Sequence, residues 1–172
     1  MFNKIVITGP ESTGKSTLSE ALAMHYKTTW VNEYARQYLS ALNKPYTFED
    51  VIEMAKMQLV SEKKIYHKPP QCIFFDTDLT VYKIWIEEKY HTEVDWINQE
   101  LKNTRDKLYL LCNIDLPWFA DPLREHPDIT DRQRIFNKYI ALMNEYHFDF
   151  YIISGQQNER LKKSIQIISN QK

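Results

Sequence analysis

Short, almost wholly apolar runs alternate along this chain with longer stretches in which apolar side chains recur every three or four positions. The runs are Ile5-Val6-Ile7-Thr8, Thr28-Thr29-Trp30-Val31, Cys72-Ile73-Phe74-Phe75, Leu108 to Cys112 and Phe150-Tyr151-Ile152-Ile153. Their length and their β-branched and aromatic content predict buried strands. Helical spacing fills the intervals: Lys15 to Tyr26, Glu33 to Leu42, Leu79 to Glu88, a short amphipathic helix within 91–105, Asp131 to Tyr146, and Asn158 to Ile168. Another helix is predicted from a Thr47 N-cap, with Asp50 three residues on, through Val51, Met54, Ala55, Gln58, Leu59 and Ile65 to Tyr66, where Pro69-Pro70 stops it. Five strands alternating with helices predict an α/β fold with a parallel, doubly wound sheet.

Residues 115–134 break the rhythm. Pro117, Pro122 and Pro127 interrupt a segment too long for a plain connector, which predicts a functional loop, a lid over a site. At 172 residues the chain has room for one α/β domain, taken as residues 1–172. A net charge of −1 removes the simplest electrostatic argument for a nucleic-acid partner. Apolar runs stay far short of the roughly 20 residues needed to span a bilayer, so no membrane partner is expected. The first residues lack the layout of a secretory leader, and a cytoplasmic location is the expectation. Cys72 and Cys112 read as reduced core residues, and the five scattered histidines show no zinc-ligand spacing.

Chemistry concentrates after the first strand, in Gly9-Pro10-Glu11-Ser12-Thr13-Gly14-Lys15-Ser16. This G-x-x-x-x-G-K-S between a strand and a helix is the phosphate-binding loop of nucleotide-binding proteins. Its glycines let backbone N–H groups curl inward, the helix N-terminus favours an anion, and the lysine reaches the outer phosphates. Gly9, Glu11, Ser12, Thr13, Gly14, Lys15, Ser16 and Thr17 are therefore the candidate ATP-binding residues, with Lys15 also catalytic. Ser16 and Asp76 are the candidate Mg²⁺ ligands, because a carboxylate at the end of a neighbouring strand commonly completes such a site. If so, the first strand should be central and lie beside the strand ending at Asp76.

Asp78, two residues beyond Asp76, is a candidate base or acceptor ligand; capping the next helix is the plain alternative. Glu33 and Arg36 follow the second strand and should emerge at the carboxyl edge of the sheet, where open α/β sheets bind ligands. Arg124, Arg132 and Arg134 are candidate catalytic lid arginines, since guanidinium groups stabilise charge on a transferring phosphoryl group. Trp118 and Phe119 can stack on a base, although aromatics at such positions are more often core.

Gly9 to Ser16, Asn32-Glu33-Tyr34-Ala35-Arg36, Asp76-Thr77-Asp78 and the segment from Asp121 to Arg134 together resemble the ribosylnicotinamide kinase domain of the NadR-type NAD-biosynthesis proteins. That resemblance spans nearly the whole chain. It implies a P-loop kinase fold with a closing lid, ATP and Mg²⁺ as cofactors, and phosphorylation of nicotinamide riboside to nicotinamide mononucleotide. It also implies an acceptor site formed by Glu33, Tyr34, Arg36 and Asp78; where that family carries an adenylyltransferase domain upstream of the kinase, this chain departs from it and is expected to be a standalone kinase module. An aromatic residue that packs on the pyridine ring in that family is replaced here by Asn32, with Trp30 two residues earlier. Other readings are a kinase for another nucleoside or small metabolite, and a P-loop ATP-binding regulator. A GTPase lacks support because no N-K-x-D motif occurs, and an oligomeric AAA-type motor would need a helical subdomain for which there is no room.

Overall fold

The computed structural model describes residues 3–65 and 72–171. Five strands, β1 Lys4–Thr8, β2 Trp30–Val31, β3 Ile73–Asp76, β4 Lys107–Cys112 and β5 Asp149–Ile153, form one parallel sheet in the order β2-β3-β1-β4-β5. Seven helices occur among the described residues: α1 Lys15–His25, α2 Tyr34–Ala41, α3 Phe48–Ile65, α4 Leu79–Tyr90, α5 Asp95–Asn103, α6 Ile129–Glu145 and α7 Gln157–Asn170. The expected end of the third helix at Tyr66, and the Pro69-Pro70 stop, lie outside the described residues. The N-cap of that helix is as expected: Thr47 N–H donates to Asp50 Oδ2 at 2.8 Å, and Asp50 N–H returns a bond to Thr47 Oγ1 at 3.3 Å.

Helices cover both faces of β1, β3 and β4, which is why those strands read as continuous apolar runs, whereas the edge strand β5 leaves Tyr151 and Ile152 exposed. On β1 the side chains alternate. Ile5 and Ile7 pack with Leu18 and Leu22 of α1 and Ile168 of α7, whereas Val6 faces the larger cluster with Met54, Tyr82 and Met143. Cys72 and Cys112 are buried in the core, as expected.

The sheet order places β1 centrally, next to β3. From β1 the chain runs out to β2, returns to β3 and then crosses past β1 to β4 and β5, so a crevice opens beyond the carboxyl ends of β1, β3 and β4. Such switch points are where open α/β sheets hold ligands. Among the described residues no helix is long and apolar enough to cross a membrane.

Candidate active site

The turn after β1 is fixed by contacts that tolerate no side chain. Gly9 has φ +137°, and a Cβ there would lie 2.7 Å from the carbonyl oxygen of Cys112, at the end of β4. Gly14 caps α1 in the left-handed conformation, φ +75°. Between them the loop is tied to itself: Thr13 Oγ1 donates to the Pro10 carbonyl at 2.7 Å, and Lys15 Nζ donates to the same oxygen at 2.9 Å.

This loop forms one wall of a cleft of about 510 Å³, within the usual range for small-molecule sites. Gly9 to Thr17 line it, opposite Glu33 and Arg36 of the β2–α2 junction, Leu39 of α2, and Val81, Ile84 and Trp85 of α4. The third side comes from Asp121 and the residues Leu123 to His126, with Tyr139 of α6. The cleft therefore joins a phosphate-sized end to a partly apolar end.

Asp76 ends β3 almost fully buried, beside the Ser16 hydroxyl. Burial raises its carboxyl above the ordinary range, opposed by Ser16 and by the charges of Lys15 and Arg36. One of its oxygens, Oδ1, has no hydrogen-bond partner. An orphaned buried carboxylate oxygen next to a hydroxyl fits one edge of a Mg²⁺ coordination sphere completed by phosphate and water. No cluster of three or more His, Cys, Asp or Glu suited to a metal occurs among the described residues, so the protein alone offers no closed cage. Glu33, in contrast, lines the cleft, and its carboxylate has no hydrogen bond among the described residues. Burial raises its pKa, and Lys15 pulls it back down.

Several predicted site residues lie elsewhere. Asp78 is completely buried and absent from the cleft. Its Oδ1 accepts from Thr80 N–H at 3.0 Å and Thr80 Oγ1 at 2.7 Å, and its Oδ2 accepts from Lys107 Nζ and Tyr109 OH, each at 2.9 Å. Burial alone would raise this carboxyl, but Lys107 and the Thr80 bonds hold it below its usual value. Lys107 is shared with Glu62 at 2.8 Å. Asp78 is thus the N-cap of α4 and part of a buried charge cluster, and the structure does not bring it into the cleft that Glu33 and Arg36 line. Tyr34 also turns away, donating its backbone N–H to Gln58 at 2.9 Å and packing against the core.

The three candidate lid arginines separate. Arg124 lines the cleft and donates to Phe119 O at 2.6 Å and Ser12 Oγ at 3.3 Å. Arg132 is buried, donates to Leu116 O at 3.3 Å, and sits 5.8 Å from the Trp118 ring, as Arg124 does. Arg134 does not line the cleft and pairs instead with Glu88, at the cleft's edge, and with Asp131. Residues 129–134, expected within the lid, already belong to α6. Phe119 is exposed.

Two loop positions turn toward residues 117–126. Glu11 accepts from the backbone N–H of Glu125 at 2.9 Å and of His126 at 3.2 Å. Ser12 Oγ accepts from Phe119 N–H at 3.0 Å. Arg36 reaches the same segment through Asp121 at 3.0 Å. The Glu125 side chain is held in turn by Lys89 and Tyr46, both at 2.7 Å, and Trp85 Nε1 donates to Tyr46 OH at 3.1 Å. Sequence reasoning missed this clasp, and it also missed Arg160 behind the loop. Neither carries a local motif, because the partners are distant in sequence.

A family model described as an AAA domain matches residues 4–160. The trifunctional NAD biosynthesis/regulator proteins NadR of Salmonella typhimurium and of Escherichia coli are each 25% identical over 171 residues, 95% of this chain. The chain covers only 41% of the length of those relatives. A crystal structure of NadR protein in complex with NR superposes with a TM-score of 0.78 at 20% identity, over 98% of this chain and 49% of that one. A thymidylate kinase from Candida albicans gives 0.72 at 14% identity, covering 99% and 92%. A deoxyadenosine kinase from M. mycoides gives 0.64 at 16%, covering 97% and 99%. These structural neighbours share the fold.

Proposed function

This chain belongs to the AAA domain family, a P-loop family, and on that premise we propose that it is an ATP-dependent kinase whose acceptor is a riboside, nicotinamide riboside first among them. One observation carries the reading: a single cleft joins the phosphate loop to a pocket bounded by Glu33, Arg36, Leu39 and Trp85. A regulator that only binds nucleotide has no need of the second compartment. The 25% identity to NadR, and the fold shared with a NadR bound to NR, favour a riboside acceptor. An AAA-type motor lacks support in the described residues, whose helices α2 to α6 share one core with the sheet.

Chemistry follows from the residues in place. The Lys15 ammonium, now on the Pro10 carbonyl, is within one side-chain swing of the loop's concave side, and there it would meet the donor's outer phosphates. Arg124, docked on Ser12, would add its charge where the phosphoryl group transfers. The Ser16 hydroxyl and the orphaned Asp76 oxygen would hold Mg²⁺, which when bound neutralises charge on those phosphates. Glu33, its pKa raised by burial, takes the role first considered for Asp78: it accepts the proton of the acceptor hydroxyl. The apolar faces of Val81, Ile84 and Trp85 receive the acceptor's ring, and residues 115–128 serve as the lid.

A panel of nucleosides and ribosides with ATP and Mg²⁺, scored for acceptor-dependent ADP release, tests the proposal. Nicotinamide riboside is expected to give the highest kcat/KM. Release with a different nucleoside alone would leave a kinase of other specificity, and no acceptor-dependent release would leave a nucleotide-binding regulator.

A further inference from the structure

Behind the phosphate loop, on the side away from the cleft, lies the largest fully buried side chain among the described residues, Arg160 of α7. Every nitrogen of its guanidinium is committed. Nε donates to Gly155 O at 2.7 Å, Nη1 to Thr13 O at 2.8 Å, and Nη2 to Asn113 O at 3.0 Å and to Asp115 Oδ1. Asp115 closes the ring by accepting from Gly155 N–H at 2.6 Å. One planar group therefore gathers the loops that follow β1, β4 and β5. A planar fork of donors can do this, whereas a lysine ammonium offers a single point.

The contact with Thr13 has a directional consequence. The peptide joining Thr13 to Gly14 is trans, so its carbonyl and its N–H point in opposite directions. With the carbonyl drawn back onto Arg160, the Gly14 N–H must point forward, toward the cleft that Gly14 lines. That N–H lies at the start of α1, where an anion is favoured by the helix and by the guanidinium charge behind the same peptide.

We infer that Arg160 is a positioning residue for phosphate binding: by holding the Thr13 carbonyl it aims the Gly14 N–H at the nucleotide's phosphates. The inference rests on the proposed nucleotide site, and the experiment separates the two. The chain has only three glycines, so a protein labelled with ¹⁵N-glycine gives three backbone amide signals, those of Gly9, Gly14 and Gly155. Titration with Mg²⁺ and ADP is expected to move the Gly14 signal in the wild type. In Arg160→Lys that movement should shrink, ADP affinity should fall about tenfold, and the KM for the acceptor should stay within about twofold. If no glycine signal responds in the wild type, the nucleotide reading fails. If Gly9 responds and Gly14 does not, or if folded Arg160→Lys binds ADP as the wild type does, the inference about Arg160 is overturned. The wild-type titration needs no variant, so a poorly folding Arg160→Lys leaves the question decidable.

Discussion

Asp78→Asn separates two roles for this carboxylate. The substitution keeps the shape and leaves an acceptor for the Thr80 N–H, but removes the charge that faces Lys107 and the strong acceptor for Tyr109 OH. Breaking one partner of a buried ion pair costs about 3–5 kcal/mol, and an N-cap lost outright, as in Asp78→Ala, about 1 kcal/mol more. Glu62 still faces Lys107, so the lower end, about 3 kcal/mol, is the expected loss for Asn. Against a domain stability of about 5–15 kcal/mol this is a large fraction. Urea unfolding should show the midpoint falling at unchanged slope. The double variant Asp78→Asn, Lys107→Met should recover none of the loss, because the buried Glu62 then stands without the ammonium it faces. ADP affinity of the folded protein should be unaffected. A variant within about 1 kcal/mol of wild type whose turnover nonetheless falls a hundredfold would refute this reasoning and return Asp78 to the acceptor.

Three further outcomes are expected. Lys15→Ala should lower turnover by a hundredfold or more with the thermal midpoint unchanged, since its one hydrogen bond among the described residues is to the Pro10 carbonyl; steady-state kinetics beside a melting curve checks both. Glu11→Ala removes the acceptor for two lid amides, and hydrogen exchange at Glu125 and His126 should accelerate about tenfold, equal rates in both proteins arguing against the clasp. Burial raises the Glu62 carboxyl from its ordinary value near 4.5 to about 7, against the pull of Lys107. Between those values the native state binds more protons than the unfolded one, so stability should fall as pH rises from about 4.5 to 7, by up to about 3 kcal/mol. Unfolding midpoints at several pH values should show the slope, and Glu62→Gln should flatten it.

The strands were legible because a sheet buried on both faces leaves uninterrupted apolar runs, and β1 and β3 were recognisable as neighbours from the chemistry at their ends. The phosphate loop was legible because its demands on the backbone are local: Gly9 must clear the Cys112 carbonyl and Gly14 must adopt positive φ. Asp78 was misplaced because its environment is not local. The lysine that claims it stands 29 residues further on, at the start of β4, and Tyr109 stands 31 further. Nothing in Asp76-Thr77-Asp78 distinguishes a carboxylate aimed at a cleft from one folded beneath the sheet. The arginines posed the same difficulty. Arg124 and Arg134 differ by ten positions and by no chemistry, and only the folded cleft, which Arg124 lines and Arg134 does not, tells them apart.

The bond from Arg160 to Thr13 joins residues 147 positions apart. During synthesis the phosphate loop leaves the ribosome well before α7, so the carbonyl that this arginine holds has no such partner until α7 has been made. Gly9 likewise waits for β4 to present the Cys112 carbonyl against it. The segment that looks most complete as a motif is thus assembled late, and a nascent chain ending before residue 160 would carry the letters of a nucleotide site without its brace.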